Sequence, residues 1–266
     1  MLSPASFFNL SELDCAGLFS DCNTVWEPLA KLKDYCKTKK KGALDPQAFT
    51  EGIPLAQHLI VHEGQLFSGT QYRINFGNVA KGELLVQGKT GVLTGASVLM
   101  AGSVLMGSDI HIGQGVLIEP GALIKGPCFI GDYTEIRQGA YLRGYCLIGR
   151  RCVVGHATEV KHSIFLDDAK AGHFAYLGDS ILGRNVNLGA GTKCANLRFL
   201  PGNVLINAEK DRIDSGLRKL GAILGDEVQT GCNSVTSPGT LLGPGSFLMP
   251  NATAASGVHP ARSLLR

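Results

Sequence analysis

The sequence predicts an all-β protein whose main domain is a parallel β-helix of hexapeptide repeats, preceded by a short N-terminal helical segment. Two regularities support this fold class: aliphatic residues recur every six positions, and small residues recur four positions after them. Composition agrees, because the 266 residues include 35 glycines but only 7% aromatic residues. That balance suits many short strands joined by tight corners better than a helical bundle or a doubly wound sheet.

The six-residue repeat is unbroken from residue 112 to residue 160. Every sixth residue there is Ile, Leu or Val: Ile112, Ile118, Ile124, Ile130, Ile136, Leu142, Ile148, Val154 and Val160. The residues four positions further on are mostly small: Val116, Ala122, Cys128, Thr134, Ala140, Cys146, Cys152, Thr158 and Ile164. Three such hexads form one triangular coil of a β-helix. The alternative, a β-sandwich with chance periodicity, does not explain so long a run.

The same phase continues on both sides of this stretch. It resumes after two five-residue steps and returns later in the chain, at Phe165, Ala171, Leu177, Leu182, Leu188, Leu224, Thr230, Thr236, Leu242 and Leu248. A looser version precedes it at Val92, Val98 and Val104. We therefore predict a β-helix over 98–262, with an inserted loop at 197–220.

The first 50 residues are predicted as a helical segment, and 51–97 as strands and turns leading into the β-helix. A helix over 24–36 would place five side chains on one apolar face, with Pro28 in its first turn: Val25, Trp26, Leu29, Leu32 and Cys36. Lysines follow at Lys37, Lys39, Lys40 and Lys41. They indicate either a solvated helix end, where cations suit the helix dipole, or an anion-binding site.

Composition limits the environment and the partners. No apolar stretch approaches the length of a membrane span, and the start lacks a basic segment followed by a long apolar run, so neither a membrane partner nor a secretory signal is expected. The formal charge of +3 does not favour a nucleic-acid partner.

The eight cysteines contain no CxxC pair, and Cys128, Cys146 and Cys152 fall at repeat positions for small buried side chains. A cytoplasmic protein with reduced thiols is therefore expected.

His58 and His62 form an HxxxH spacing, which on a helix would suit a metal ion. The residues between them, Leu59, Ile60 and Val61, are typical of a strand instead. In a strand the two imidazoles would lie ~13 Å apart, too far to share one ion. No metal site is predicted.

Three basic residues are spaced one coil apart. Lys125, Arg143 and Lys161 are separated by 18 residues each, so they should stack in one column. Like charges in a ladder repel unless something neutralises them. Either neighbouring carboxylates or a phosphate-bearing ligand would neutralise these charges. The Arg143 guanidinium could bind a phosphate through two parallel hydrogen bonds.

The five-residue steps shorten a coil to 17 residues, which places His173 and Ala190 in one column. Tyr176 would then close the corner next to the Arg143 and Lys161 column. A histidine, a phenol and two cations thus converge on one edge of the predicted prism. This convergence favours a catalytic histidine over a structural one.

The residues of this edge resemble a known family. Lys170-Ala-Gly-His-Phe-Ala-Tyr-Leu-Gly-Asp179 and Asn185-Val-Asn-Leu-Gly-Ala-Gly-Thr192 closely resemble the acetyltransferase domain of bifunctional glucosamine-1-phosphate acetyltransferase/N-acetylglucosamine-1-phosphate uridylyltransferase. Ala195-Asn-Leu-Arg198 and the stretch 214–223 look more like the archaeal-type sugar-1-phosphate nucleotidylyltransferase/amino-sugar acetyltransferases. The similarity runs from about 137 to 253. It implies a left-handed β-helix, against the usual right-handed crossover rule.

The resemblance also implies an activity. Members of the family are homotrimers with sites between prisms, and they transfer the acetyl group of acetyl-CoA to an amino-sugar 1-phosphate such as glucosamine-1-phosphate. The product enters UDP-N-acetylglucosamine biosynthesis and the synthesis of cell-envelope precursors. The acceptor, a small-molecule amino-sugar phosphate, and acetyl-CoA as co-substrate are thus the expected ligands.

Site residues carry over by position. His173 matches the general base, and the backbone N–H of Ala190 matches the donor that holds the acetyl oxygen. Arg143 and Lys161 match the cations that hold the sugar phosphate. The positions of the family that contact the sugar correspond to Tyr176, Asn187 and Asn196. The positions that contact coenzyme A correspond, with a weaker match, to Ala190, Ser234 and Ala252.

The sequence also departs from the family. It contains no GxGTR-type nucleotidyltransferase loop, so nucleotidyltransferase activity is not expected and a separate nucleotidyltransferase becomes a candidate partner. Residues 199–206 contain no lysine, where relatives supply cations, and Lys210 or Lys219 would have to substitute. The alternatives left open are a non-catalytic trimeric scaffold or sugar-phosphate or nucleotide-sugar binding protein, and an acyltransferase for another amine. Glucosamine and galactosamine are not distinguished.

Overall fold

The computed structural model describes residues 2–38, 44–208 and 211–266. The N-terminal segment contains a short 3-10 turn at Pro4–Ser6 and two helices, α1 (Ala16–Phe19) and α2 (Glu27–Thr38). Glu27 accepts hydrogen bonds from the backbone N–H groups of Asn23 and Thr24 at 2.9 and 3.1 Å. With Thr24 as N-cap and Glu27 at the third position of the first turn, the Glu27 carboxylate thus satisfies free backbone N–H groups at the start of the helix, and residues 25–26 form a turn before the regular part of α2. Lys39, Lys40 and Lys41 lie outside the described residues.

The N-terminal segment covers one outer face of the β-helix. Trp26 and Leu29 pack in one apolar cluster with side chains that point outward from successive coils. These outward side chains are themselves almost fully buried: Leu147, Ile164, Ile181, Ile223 and Leu241. An apolar column on an outer face needs a cover, and here the chain supplies it itself.

Residues 44–93 close the first end of the β-helix. Their five strands are β1 (Leu59–His62), β2 (Gln65–Ser68), β3 (Arg73–Asn75), β4 (Leu85–Gly88) and β5 (Gly91–Val92). Strand β1 runs antiparallel to β2 and to the first strand of the β-helix, while Leu44, Leu55 and Val61 join the central core. The unpaired end of a solenoid is thereby protected.

The imidazoles of the HxxxH motif serve the backbone of this cap. His58 Nδ1 accepts the N–H of Ala101 at 2.9 Å, and His62 Nε2 lies 3.1 Å from the carbonyl oxygen of Thr94. No group of three His, Cys, Asp or Glu side chains in the described ranges could hold a metal ion.

Within the described residues, the β-helix contains eight three-stranded coils and the first strand of a ninth. Coils 1 to 4 consist of β6 (Ser97–Leu99), β7 (Val104–Met106), β8 (Ile110–Ile112), β9 (Leu117–Ile118), β10 (Leu123–Lys125), β11 (Cys128–Ile130), β12 (Glu135–Ile136), β13 (Tyr141–Arg143), β14 (Cys146–Ile148), β15 (Val153–His156), β16 (Glu159–Lys161) and β17 (Ile164–Phe165). The later strands, with an inserted hairpin formed by β23 and β24, are β18 (Lys170–His173), β19 (Tyr176–Gly178), β20 (Ile181–Leu182), β21 (Asn187–Leu188), β22 (Lys193–Cys194), β23 (Leu205–Ala208), β24 (Asp211–Asp214), β25 (Ala222–Leu224), β26 (Gln229–Thr230), β27 (Val235–Thr236), β28 (Thr240–Leu242), β29 (Phe247–Leu248), β30 (Thr253–Ala254), β31 (Gly257–His259) and β32 (Leu264–Leu265).

The strands form three parallel sheets that are the sides of the prism. Sheet 1 begins with β6 and β9, sheet 2 with β7 and β10, and sheet 3 with β8 and β11, and each adds every third strand of the β-helix thereafter. One coil is 18 residues long where Glu135 pairs with Val153, and 17 where Val153 pairs with Lys170. The fold prediction from the hexapeptide repeat is confirmed.

The repeat residues form the interior. Ile118, Ile136 and Leu142 are fully buried in one core cluster with Cys128 and Cys146. No described cysteine forms a disulfide, and burial raises the pKa of the Cys146 thiol to about 12. The buried cysteines therefore act as small, unreactive packing residues.

The looser six-residue repeat predicted before residue 112, at Val92, Val98 and Val104, does not match the inward positions of the first coil and is wrong. Val92 lies in β5, outside the β-helix, and Val98 packs outward with Ile60 in the cap. The inward residues of the first coil are Leu99 and Leu105, which pair with Ile118 and Ile124. The step from Leu105 to Ile112 spans seven residues, because the corner between β7 and β8 is one residue longer, and this shifts the phase by one.

Between β22 and β25, where the sequence predicts an inserted loop at 197–220, the structure has an antiparallel hairpin. Strands β23 and β24 pair antiparallel, and Val204, Ile206 and Leu220 are buried in the same cluster as α2. Lys210 lies outside the described residues. Among the residues that the structure describes, no helix has the length and apolar character to cross a membrane.

Candidate active site

The three basic residues of the predicted ladder stack on sheet 2. Lys125 pairs with Arg143, and the pairing of Leu142 with Val160 places Lys161 next in the column. Carboxylates accompany two of the three cations. Arg143 Nη1 lies 2.6 Å from Glu159 Oε1, and Lys161 Nζ lies 3.6 Å from Asp179 Oδ2. The repulsion expected in this ladder is thus reduced by neighbours on the same sheet.

Glu159 and Asp179 were missed by the sequence reasoning. Strand alternation could have found Glu159, since it lies two residues before Lys161 and so faces the same side. Tyr141 adds a ring to this surface, with Lys125 Nζ at 5.5 Å and the Arg143 guanidinium at 5.8 Å from its centre. These cation–π contacts also orient the ladder.

His173 lies at the corner between sheets 1 and 2. It ends β18, pairs with His156 of the previous coil, and is exposed. Its ring contacts Phe174 at 6.3 Å between ring centres, and no hydrogen bond to either ring nitrogen is formed within the described part of the chain. Phe174 itself has φ +51°, the left-handed conformation that turns the chain at this corner. An exposed imidazole with free nitrogens can accept a proton from a ligand.

Ala190 follows His173 in the same column, as predicted. Lys170 pairs with Asn187 and Ala171 with Leu188, so the register places Ala190 one coil beyond His173, ~4.8 Å along the axis. Its carbonyl accepts the N–H of Asn233 at 2.8 Å. Its own N–H makes no hydrogen bond to any residue that the structure describes. That donor is available to a ligand oxygen.

Tyr176 and Asn196 meet in a buried polar network. The Tyr176 hydroxyl donates to Asn196 Oδ1 at 3.3 Å, and Asn196 Nδ2 donates to Asp179 Oδ2 at 2.6 Å. Asp179 Oδ1 lies 2.8 Å from His162 Nδ1. Burial acts to raise the pKa of Asp179, but hydrogen bonds from His162 and Asn196 and the charge of Lys161 bring that pKa below its ordinary value. The carboxylate therefore stays ionised at neutral pH and holds Asn196 in place.

Asn187 is not part of this network. It is exposed on sheet 1, between Lys170 and Gln229 in the neighbouring coils. It lies on the opposite side of the His173 corner from Tyr176. The structure therefore distributes the predicted sugar-contacting residues over two sheets that meet at His173.

Ser234 and Ala252 face inward. Ser234 is fully buried, and its hydroxyl donates to the carbonyl of Gly231 at 2.9 Å and lies 3.2 Å from Thr192 Oγ1. Ala252 is 8% exposed. Any contact of these residues with coenzyme A would therefore involve their backbone.

The two lysines that would have to replace the missing cations both belong to the insertion. Lys219 is exposed, and its backbone bridges Leu197 at the base of the insertion. Lys210 falls outside the described residues. The lysine-free stretch 199–206 is the segment of the insertion that leads into β23 and includes its first two residues, and Phe199 is fully exposed.

Gly178 is expected to be essential for the contact between Tyr176 and Asn196. A Cβ atom at position 178 would lie 2.4 Å from Asn196 Nδ2 and 2.7 Å from the Tyr176 hydroxyl. Gly178→Ala should therefore separate these two side chains and raise the KM for the expected acceptor about 10-fold, because a hydrogen bond of about 1–1.5 kcal/mol that positions two predicted sugar contacts is lost. Gly17→Ala, where a Cβ meets nothing within 4 Å, is the control. Equal KM values in the two variants would contradict this role.

Comparisons with known proteins agree with the resemblance predicted above. Residues 124–242, just under half of the chain, match the family described as GMPPB C-terminal domain. The chain is 44% identical over 98 residues to the bifunctional sugar-1-phosphate nucleotidylyltransferase/acetyltransferase of Sulfurisphaera tokodaii, covering 37% of this chain and 24% of that protein. It is 43% identical over 94 residues to the bifunctional protein GlmU of Methanocaldococcus jannaschii, covering 35% and 23%.

The chain thus spans about a quarter of the length of these curated relatives. A solved hexapeptide transferase family protein from Anaplasma phagocytophilum is 14% identical, with a TM-score of 0.20 over 60% of this chain and 74% of that one. Such low structural similarity supports no argument. The chain is therefore similar, over about 100 residues, to the bifunctional sugar-1-phosphate nucleotidylyltransferase/acetyltransferases and, over residues 124–242, to the GMPPB C-terminal domain family.

Proposed function

We propose that the protein is an acetyl-CoA-dependent N-acetyltransferase that acts on an amino-sugar 1-phosphate such as glucosamine-1-phosphate. One observation carries the proposal: an exposed imidazole at His173 and a backbone N–H at Ala190 that bonds to none of the described residues occupy successive coils of one corner. A base and an oxyanion donor at this separation are what an amine and a thioester need to react.

The reaction follows from these two groups. The amine nitrogen attacks the thioester carbonyl carbon, forming the C–N bond, while His173 takes a proton from that nitrogen. The Ala190 N–H stabilises the negative charge that develops on the carbonyl oxygen. The C–S bond then breaks, and the proton passes to the departing coenzyme A thiolate. The products are the amide and free coenzyme A.

The acceptor would lie on sheet 2 next to His173. Tyr176 and Asn196 offer hydrogen bonds to sugar hydroxyls, and Asn187 approaches from sheet 1. Arg143 and Lys161 supply positive charge for the phosphate. Their ion pairs with Glu159 and Asp179 pre-orient these cations, because a paired side chain loses less freedom when a ligand binds.

Coenzyme A would extend along the corner past Ala190 toward Ser234 and Ala252. In a homotrimer, which we propose with the family, each site would lie between two prisms. Sheet 3 is covered by the N-terminal segment, so subunit contacts would use sheets 1 and 2. We place the protein in the cytoplasm, where acetyl-CoA and a separate nucleotidyltransferase would be available for UDP-N-acetylglucosamine biosynthesis.

A second candidate function is a non-catalytic binding protein for sugar phosphates or nucleotide sugars. It is favoured by the lysine-free stretch 199–206, at which the family supplies cations to the site. A binding protein would retain the ligand but would not release coenzyme A.

Thiol release distinguishes the two. The purified full chain is incubated with acetyl-CoA and a panel of amines that includes glucosamine-1-phosphate and galactosamine-1-phosphate, and free thiol is followed with a chromogenic disulfide. We expect amine-dependent release with an amino-sugar phosphate. Calorimetric binding of the sugar phosphate without any thiol release would instead identify a binding protein, and release with another amine only would overturn the assigned acceptor.

A further inference from the structure

A trench continues the cation column of sheet 2 toward the C-terminal end. After Lys161 the column contains only small residues, because strand register places Gly178, Ala195 and Ser237 there in succession. The inserted hairpin forms the opposite wall. The open cavity between them has a volume of about 510 Å³, within the range of small-molecule sites. It begins beside Asn196 but contains none of the residues assigned above to acyl transfer.

Two arginines of the insertion line this trench. Arg198 donates through Nη1 to the carbonyl of Asn203, and Arg212 donates through Nε to Asn207 Oδ1 at 3.2 Å. Neither forms an ion pair with a carboxylate anywhere in 2–38, 44–208 or 211–266. This distinguishes them from Arg143 and Lys161, whose charges are paired. Each guanidinium retains N–H groups that suit a phosphate oxygen.

An apolar rim accompanies these charges. Phe199 is fully exposed and Leu200 is 67% exposed, and both line the cavity with Leu197 and Pro238. Large apolar side chains gathered at the mouth of a polar cavity indicate a ligand with a flat apolar part. An aromatic ring on a loop is a suitable surface for base stacking.

We propose that this trench binds a nucleoside diphosphate, with the phosphates against Arg198 and Arg212 and the base against Phe199 and the apolar rim. Charge indicates the ligand class, because two guanidinium groups without a carboxylate partner among the described residues favour a ligand with two negative charges. The rim excludes a free inorganic anion as the best ligand, because an anion would leave the apolar surface unused. The proposal concerns binding, so it stands or falls independently of acyl transfer at His173.

Calorimetry on the full chain tests the proposal with UDP, ADP, inorganic phosphate and coenzyme A as separate probes. We expect UDP or ADP to bind, and Arg198→Gln and Arg212→Gln each to weaken that binding about 10- to 100-fold, as expected for a charge-assisted hydrogen bond. Phe199→Ala should weaken nucleotide binding while leaving phosphate binding unchanged. Arg218→Gln, an exposed arginine of the same insertion outside the trench, is the matched control and should bind like the wild type.

Several results would overturn the assignment. These are no binding of either nucleotide, nucleotide binding that ignores both arginine substitutions, and phosphate binding as tight as that of the nucleotides. Arginine-dependent binding of coenzyme A alone would identify a donor site instead. If Phe199→Ala changes the mass measured by light scattering and no nucleotide binds, the rim is a contact between copies of this chain. Circular dichroism of each variant separates a loss of binding from a loss of the fold.

Discussion

Replacing His173 with alanine is expected to reduce the rate of thiol release from acetyl-CoA by about 10²- to 10⁴-fold, the usual contribution of a general base. The side chain is exposed and forms no hydrogen bond within the described residues, so its removal should leave the fold unchanged. The KM for the amino-sugar phosphate should change little, because the proposed sugar contacts are on other residues. Steady-state kinetics with the thiol assay measure both quantities.

The control for this variant is the histidine one coil earlier. His156 lies in the same column, but its Nδ1 is 2.8 Å from the carbonyl oxygen of Gln138. His156→Asn should keep a rate of the same order as the wild type. If His173→Ala keeps the full rate, or if both variants lose activity equally, His173 is not the base.

Replacing Phe165 with alanine is expected to lower the free energy of unfolding by about 3–5 kcal/mol, the usual cost of emptying a buried phenyl site. Phe165 is fully buried and is stacked between Ile148 and Leu182 of the adjacent coils. The rigid backbone ladders on both sides limit how far the coils can close the cavity. Denaturant unfolding followed by circular dichroism, with equal slopes required for the comparison, measures the loss.

Phe199→Ala is the matched control for this stability measurement. The same atoms are removed, but the Phe199 ring is fully exposed, so the change should stay within about 0.5 kcal/mol. Similar losses in the two variants would mean that the inward column of the repeat does not carry the stability of the β-helix.

The ladder on sheet 2 shows how far the sequence predicts the site. The spacing of 18 residues was enough to stack Lys125, Arg143 and Lys161, because in a β-helix the coil length directly sets which residues are neighbours. It could not decide what balances their charge. Both carboxylates and a phosphate were compatible with the pattern, and only the side-chain positions of Glu159 and Asp179 showed which groups are present.

The first coil shows where the pattern failed. The corner between β7 and β8 is one residue longer, so the inward residue of the first strand is Leu99 rather than Val98. Because both residues are aliphatic, the residue types alone did not show this shift of phase. The N-terminal helix was predicted from its apolar face, but its docking site was not. Leu147, Ile164 and Ile181 are separated from α2 by more than a hundred residues, and no local pattern links them to it.

Periodicity along the chain determined the parallel β-helix, its inward residues from 112 onward and the joint position of His173 and Ala190, since each depends on counting residues within a regular coil. Tertiary structure alone decided the covering of sheet 3, the network around Asp179 and the trench under the insertion. These features arise where segments distant in sequence pack together, and the free energy of such contacts depends on shape and charge in space rather than on spacing along the chain.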